Sequence, residues 1–100
     1  MSYAEIEMKV IQWGEKRGIV QHSTPKAQAI KTSEELGELF DAIEANNQEA
    51  MKDAYGDILV TLIMGCACAD LDLVSCLDGA YNEIKNRKGQ LNADGLWVKE

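Results

Sequence analysis

Apolar residues recur at helical spacing in four stretches of this 100-residue chain. Tyr3, Ile6, Val10 and Trp13 fall on one face of a first helix predicted over about Tyr3 to Lys16, with Gly18 as its stop. In His22-Ser23-Thr24-Pro25, Thr24 suits an N-cap and Pro25 the first helical turn, so a second helix is predicted from there to about Ala45. Asn46-Asn47 supplies a turn and a cap for a third helix, about Gln48 to Ala69, apolar on nearly all its sides. Asp70 to Asp72 breaks the run, and Leu73, Leu77, Tyr81 and Ile84 share one face of a fourth helix, about Leu73 to Asn86. Beyond Gly89, the sequence Asn92-Ala93-Asp94-Gly95 between Leu91 and Leu96-Trp97-Val98 predicts a short hairpin or ordered turn. Four helices joined by short connections describe an all-α antiparallel four-helix bundle, a single domain over residues 1–100.

Composition adds a core and a limit on it. A 46% hydrophobic fraction with one proline belongs to a chain that packs. A domain this short buries only about 60 to 65% of the surface its unfolded chain exposes, so pairing with further copies, as a homodimer or homotetramer, is expected. The net charge of -7 disfavours a nucleic-acid polymer as partner, because that needs an extended basic surface. A small polyanion remains accessible if a divalent cation stands between carboxylates and phosphates. The N-terminal segment has no signal-peptide pattern, and the longest apolar run, Ile58 to Ala69, falls short of the roughly 18 residues of a membrane span. A cytoplasmic protein without a membrane partner is expected. Cys66, Cys68 and Cys76 lack C-x-x-C spacing and sit among apolar residues, as core thiols do.

The chemistry is concentrated in two acidic clusters, Glu34-Glu35-Leu36-Gly37-Glu38 and Asp53-Ala54-Tyr55-Gly56-Asp57. On the second helix Glu34, Glu35 and Glu38 share a side with Lys31 and Asp41, opposite Leu36, Leu39, Phe40 and Ile43. Alone, that pattern describes a solvated acidic face. On the third helix, however, Asp53 and Asp57 continue the line of Val60, Met64 and Cys68, and a carboxylate leading into a buried stripe normally neutralises, pairs or binds a metal. A mid-helix glycine costs about 1 kcal/mol, so Gly37 and Gly56 are expected where the two backbones approach, bringing the acids of both helices together.

All-oxygen ligands select hard cations, and magnesium binds a few carboxylates together with substrate phosphates. A di-iron bundle needs Glu-x-x-His pairs, and the single histidine, His22, lies in a predicted loop. A calcium loop starting at Asp70 fails at Val74 and Ser75. Lys85, Arg87 and Lys88 cluster at the end of the fourth helix, suited either to phosphate or simply to a helix C-terminus, and Asn82 stands one turn earlier.

These residues resemble the MazG-like nucleoside triphosphate pyrophosphohydrolases of the all-alpha pyrophosphohydrolase superfamily. The resemblance rests on EELGEL and DAYGDILVTL, with WGEKRGI, STPKAQAIK and YNEIKNRKG similar to segments of small phage-type members. It implies magnesium, with manganese as a substitute, bound by Glu35, Glu38 and Asp57, and Glu34 and Asp53 as further ligands or as the group activating water. It places Lys31, Asn82, Lys85 and Arg87 near a nucleoside triphosphate, and implies in-line attack of a metal-activated water that releases pyrophosphate and leaves the monophosphate. The family's second motif commonly carries glutamate where this chain has Ala54. The competing readings are a non-catalytic acidic interaction module and a sister activity on deoxyuridine triphosphate or phosphoribosyl-ATP.

Overall fold

A computed structural model describes residues 1–100. The chain forms α1 (Tyr3–Lys16), α2 (Ile19–His22), α3 (Pro25–Glu44), α4 (Gln48–Cys68) and α5 (Leu73–Ile84), then β1 (Gly89–Leu91) and β2 (Trp97–Lys99). The fold is all-α, as the periodicity predicts, and each long helix starts where a side chain satisfies its free amides. Ser2 and Glu5 form a capping box on α1, while Thr24, Asn47 and Asp72 accept from the third amide of α3, α4 and α5. Gly18, at φ 76, turns the chain out of α1. The stretch Ile19–His22, expected as loop, is a helical turn too short to show a period.

The hairpin is present. β1 and β2 pair antiparallel, and Asn92 Oδ1 accepts from the amides of Asp94 and Leu96 to close the turn around Gly95. It packs against none of the helices.

α4 is the central element, with α3 on one side and α1, α2 and α5 against the others. A Cβ at Gly65 would stand 3.4 Å from Gln28 Cβ, Thr32 meets Thr61, and Glu35 and Glu38 meet Asp57. Numbers rise along α3 as they fall along α4, so the pair is antiparallel. Its contact surface is not the expected one. Leu39 and Ala42 of α3 and Ala54 and Thr61 of α4 are buried, while Leu36, Phe40 and Ile43 are exposed. The face of α3 turned to α4 lies between its acidic and apolar sides, so it takes Glu35 inward and leaves much of the apolar side uncovered.

The glycine expectation is also corrected. A Cβ at Gly37 or Gly56 would meet nothing within 4 Å, because both point away from the interface. Close approach occurs at Gly65 and at Gly14, where a Cβ would run into the Sδ of Met64, the one large side chain that is fully buried. Gly37→Ala and Gly56→Ala should therefore each stabilise the chain by about 0.5 to 1 kcal/mol. Gly14→Ala should cost about 1 to 3 kcal/mol through overpacking, both effects read by chemical denaturation.

On α1 the buried residues are Glu7 and Gly14; Tyr3, Ile6 and Trp13, expected to face the core, are partly exposed. Ile6, Val10 and Trp13 line an open apolar cleft with Val60. Glu7 accepts from the Tyr3 hydroxyl at 2.9 Å and from the Val74 amide at 3.3 Å, so a buried carboxylate fastens the start of α5 to α1. Burial, then that hydrogen bond, pushes the Tyr3 phenol up to about 12. No residue of α5 is buried, and its Leu73 and Leu77 line an apolar groove with Tyr3, Leu59 and Leu62. Cys66 and Cys68 are half-buried, whereas Cys76, expected in the core, is exposed.

The chain exposes 7553 Å², where a compact monomer of its mass exposes about 5,700 Å². Its radius of gyration, 15.7 Å, exceeds the ~13 Å of a compact 100-residue domain. No single helix is long and apolar enough to cross a membrane.

Candidate functional site

The α3–α4 register brings Glu35, Glu38 and Asp57 together, with one carboxylate oxygen from each lying within 4.8 Å of the others. Glu35 and Glu38 stand three positions apart on one helix, hence on one face, and Asp57 faces them from α4. The site is graded in exposure. Glu35 forms its floor, its side chain only 11% exposed, and Glu38 and Asp57 open to solvent at its mouth.

The floor is incompletely satisfied. Lys31 Nζ lies 3.6 Å from Glu35 Oε1 and 3.3 Å from Glu34 Oε2, but Glu35 Oε2 is buried and has no hydrogen-bond partner. An ionised oxygen in that position is costly unless a cation or proton meets it. The Glu38 carboxylate beside it, then burial, raise the Glu35 carboxyl above its ordinary range, partly offset by Lys31. Three carboxylates, one of them carrying a buried oxygen without a partner, form a donor set suited to a hard divalent cation, and no thiolate or imidazole joins the group.

This shift makes stability depend on pH in one direction. The folded chain holds the Glu35 proton more tightly than the unfolded chain, so stability associated with this group is present at low pH. It is lost as pH rises from the ordinary glutamate range, about 4.3, through the raised value. In chelator, the thermal midpoint of Glu35→Gln should gain on the parent's across that window; a constant difference contradicts the shift.

Lys31 is at the rim, exposed, its ammonium held protonated first by Glu34 and then by Glu35. Glu34 bonds Lys31 from the solvent side, and Asp53, one turn before Asp57, is exposed and outside the three-carboxylate group. Asn82 and Lys85 bond each other at 3.2 Å, and Asn82 bonds Asp78. They and Arg87 are exposed, and α5 does not touch α3, so within one chain they are not joined to the carboxylates. Ala54 is buried against α3, which limits the inward-facing acids of α4 to Asp57. His22 closes α2 and is no part of the group.

Two contributors have no clear sequence signal. Thr32 and Thr61, one turn from Glu35 and Asp57, bring their hydroxyl oxygens to 2.8 Å across the helix pair. A lone threonine within a helix gives no sign of a partner 29 residues away.

Residues 23–91, which hold all three carboxylates, match the model of the MazG nucleotide pyrophosphohydrolase domain. The chain is 42% identical over 53 residues to an uncharacterized 18.2 kDa protein from the rep-hol intergenic region of Haemophilus phage HP1. That match takes in 53% of this chain and 32% of the phage protein, so the chain spans about a third of its relative's length. No solved structure matches.

Proposed function

Since the chain belongs to the MazG nucleotide pyrophosphohydrolase family, we propose that it hydrolyses (deoxy)nucleoside triphosphates to monophosphate and pyrophosphate with magnesium, or manganese in its place. The observation that carries this reading is the meeting of Glu35, Glu38 and Asp57, the first of which has a buried oxygen without a partner. Glu35, Glu38 and Asp57 would hold the cation, with Asp53 as a further ligand. Bound there, the cation supplies Lewis-acid neutralisation of the phosphate oxygens and lowers the pKa of water.

The chain's own groups do the rest. Glu34, solvent-facing beside the buried Glu35, accepts the proton released when water attacks the α-phosphorus and the bond to the pyrophosphate leaving group breaks. Lys31 offers a fixed positive charge at the rim, held in place by Glu34 and Glu35, against the anionic substrate. The helices contribute placement and field more than covalent chemistry.

Asn82, Lys85 and Arg87 are assigned to the nucleotide as well, and the C-terminal end of α5 with the turn after it, from a second copy, is their natural source, since α5 of the same chain stands away from α3. The excess exposed surface, about 1,900 Å² over a compact monomer, exceeds the ~800 Å² that one partner buries in a standard interface. Sedimentation at micromolar concentration should give a homodimer or homotetramer; a monodisperse monomer contradicts this part. The surroundings proposed for this chemistry are cytoplasmic.

The product test is direct. Incubation with a panel of nucleoside triphosphates and magnesium, resolved by ion chromatography, should show monophosphate and pyrophosphate in equal amounts. Orthophosphate released without a pyrophosphate intermediate, or no turnover of any nucleotide, overturns the proposal.

A further inference from the structure

Glu35 and Glu38 belong to one helix and Asp57 to another, so the shape of the carboxylate set depends on the spacing and register of α3 and α4. A single side-chain hydrogen bond joins the two helices: Thr32 Oγ1 to Thr61 Oγ1, 2.8 Å apart. Each hydroxyl also lies within reach of its own helix, Thr32 at 2.9 Å from the Gln28 carbonyl and Thr61 at 2.7 Å from the Ile58 carbonyl. That makes three contacts for two hydroxyl hydrogens. One threonine therefore donates into its own helix and accepts from the other, which donates across. Thr61 is buried, so water does not readily replace that bond.

The bond sits where it governs the site. Thr32 precedes Glu35 by three residues and Thr61 follows Asp57 by four, so the link lies about one helical turn, ~5.4 Å, along the axes from the carboxylates. One turn further, Gly65 lets α4 approach Gln28 closely. On the opposite side of the acids the buried residues are Leu39, Ala42 and Ala54, whose apolar contacts are non-directional.

We propose that Thr32 and Thr61 are positioning residues for the cation site, their hydrogen bond setting the register at which Glu35 and Glu38 face Asp57. This rests on the reading of those three acids as the cation ligands. The alternative is that the two threonines merely fill the interface. Valine has the same shape without the hydroxyl, so it separates the two roles.

The experiment is a thermal-unfolding titration with Mg²⁺ and Mn²⁺ of the full chain, the parent beside Thr61→Val, Thr32→Val, Thr61→Ser and the double valine variant, each also measured in chelator. Both single valine variants should need about 10-fold more cation for half-maximal stabilisation, the usual scale for groups supporting metal ligands. Thr61→Ser should stay within about twofold of the parent, and the double variant should be no worse than either single one, because one bond is lost in all three. Activity lost at limiting cation should return at saturating cation. Should Thr61→Val fail to fold, Thr32→Val removes the same bond from the half-buried side. An unchanged half-point in the folded valine variants, whatever their midpoint in chelator, overturns the positioning role and leaves the metal site standing. No stabilisation of the parent by either cation overturns the metal site and this proposal with it.

Discussion

Glu38→Gln and Asp57→Asn should each lower kcat/KM by on the order of 100-fold or more, since several kcal/mol of charge stabilisation would depend on the cation they are proposed to hold and each 1.36 kcal/mol is tenfold. The double variant should be little worse than either single one. The two carboxylates lie on different helices yet within 4.8 Å of each other, so removing either dismantles the same ligand set, and groups acting as a unit are strongly non-additive. Both variants should fold. Without metal they should melt no lower than the parent, because each removes one of three crowded negative charges. Steady-state kinetics and thermal unfolding of the same samples read both effects. A solvated acidic stripe would instead give near-parental turnover and stability changes within about 0.5 kcal/mol.

Removing the cation should have an equally large effect. In excess chelator, hydrolysis should fall to background, and magnesium or manganese should restore it. Within one chain the carboxylates pair with a single cation, Lys31, exposed and shared between Glu34 and Glu35, too little to offset a triphosphate's charge beside them. Turnover undiminished in EDTA would mean that the carboxylates serve some other purpose.

The fold is largely legible in the sequence because its punctuation is local. Thr24-Pro25 and Asn47 announce helix starts through side chains that reach amides three residues on, Asp70 to Asp72 marks a break at whose end Asp72 caps α5, and Gly18 marks a left-handed exit. The acids of the site are legible too, through the shared spacing of two clusters, although of the five conspicuous acids only Glu35, Glu38 and Asp57 converge.

What a single sequence hides is the choice of packing face. α3 carries an acidic and an apolar side, and periodicity alone turns the apolar side inward. The structure rotates the contact to the strip between them, which buries Glu35 and leaves Phe40 62% exposed. The exposed apolar residues of α3 and α5 are surface that the proposed pairing with another copy would cover. Gly37 and Gly56 mislead for the same reason: they stand level with each other along the antiparallel pair, but on its outer surface. Glu7 gives no signal because its partner, the Val74 amide, is 67 residues away, beyond any spacing rule. The short α2 has only four residues, too few for a period to register.

The measurement that bears most directly on the central claim is calorimetric titration of Mn²⁺ into the metal-free parent and into metal-free Asp57→Asn. Saturable binding to the parent is expected, weakened by on the order of 10-fold or more when Asp57 is neutralised. The same affinity in both proteins, or no saturable binding to the parent, would contradict a cation site shared between α3 and α4.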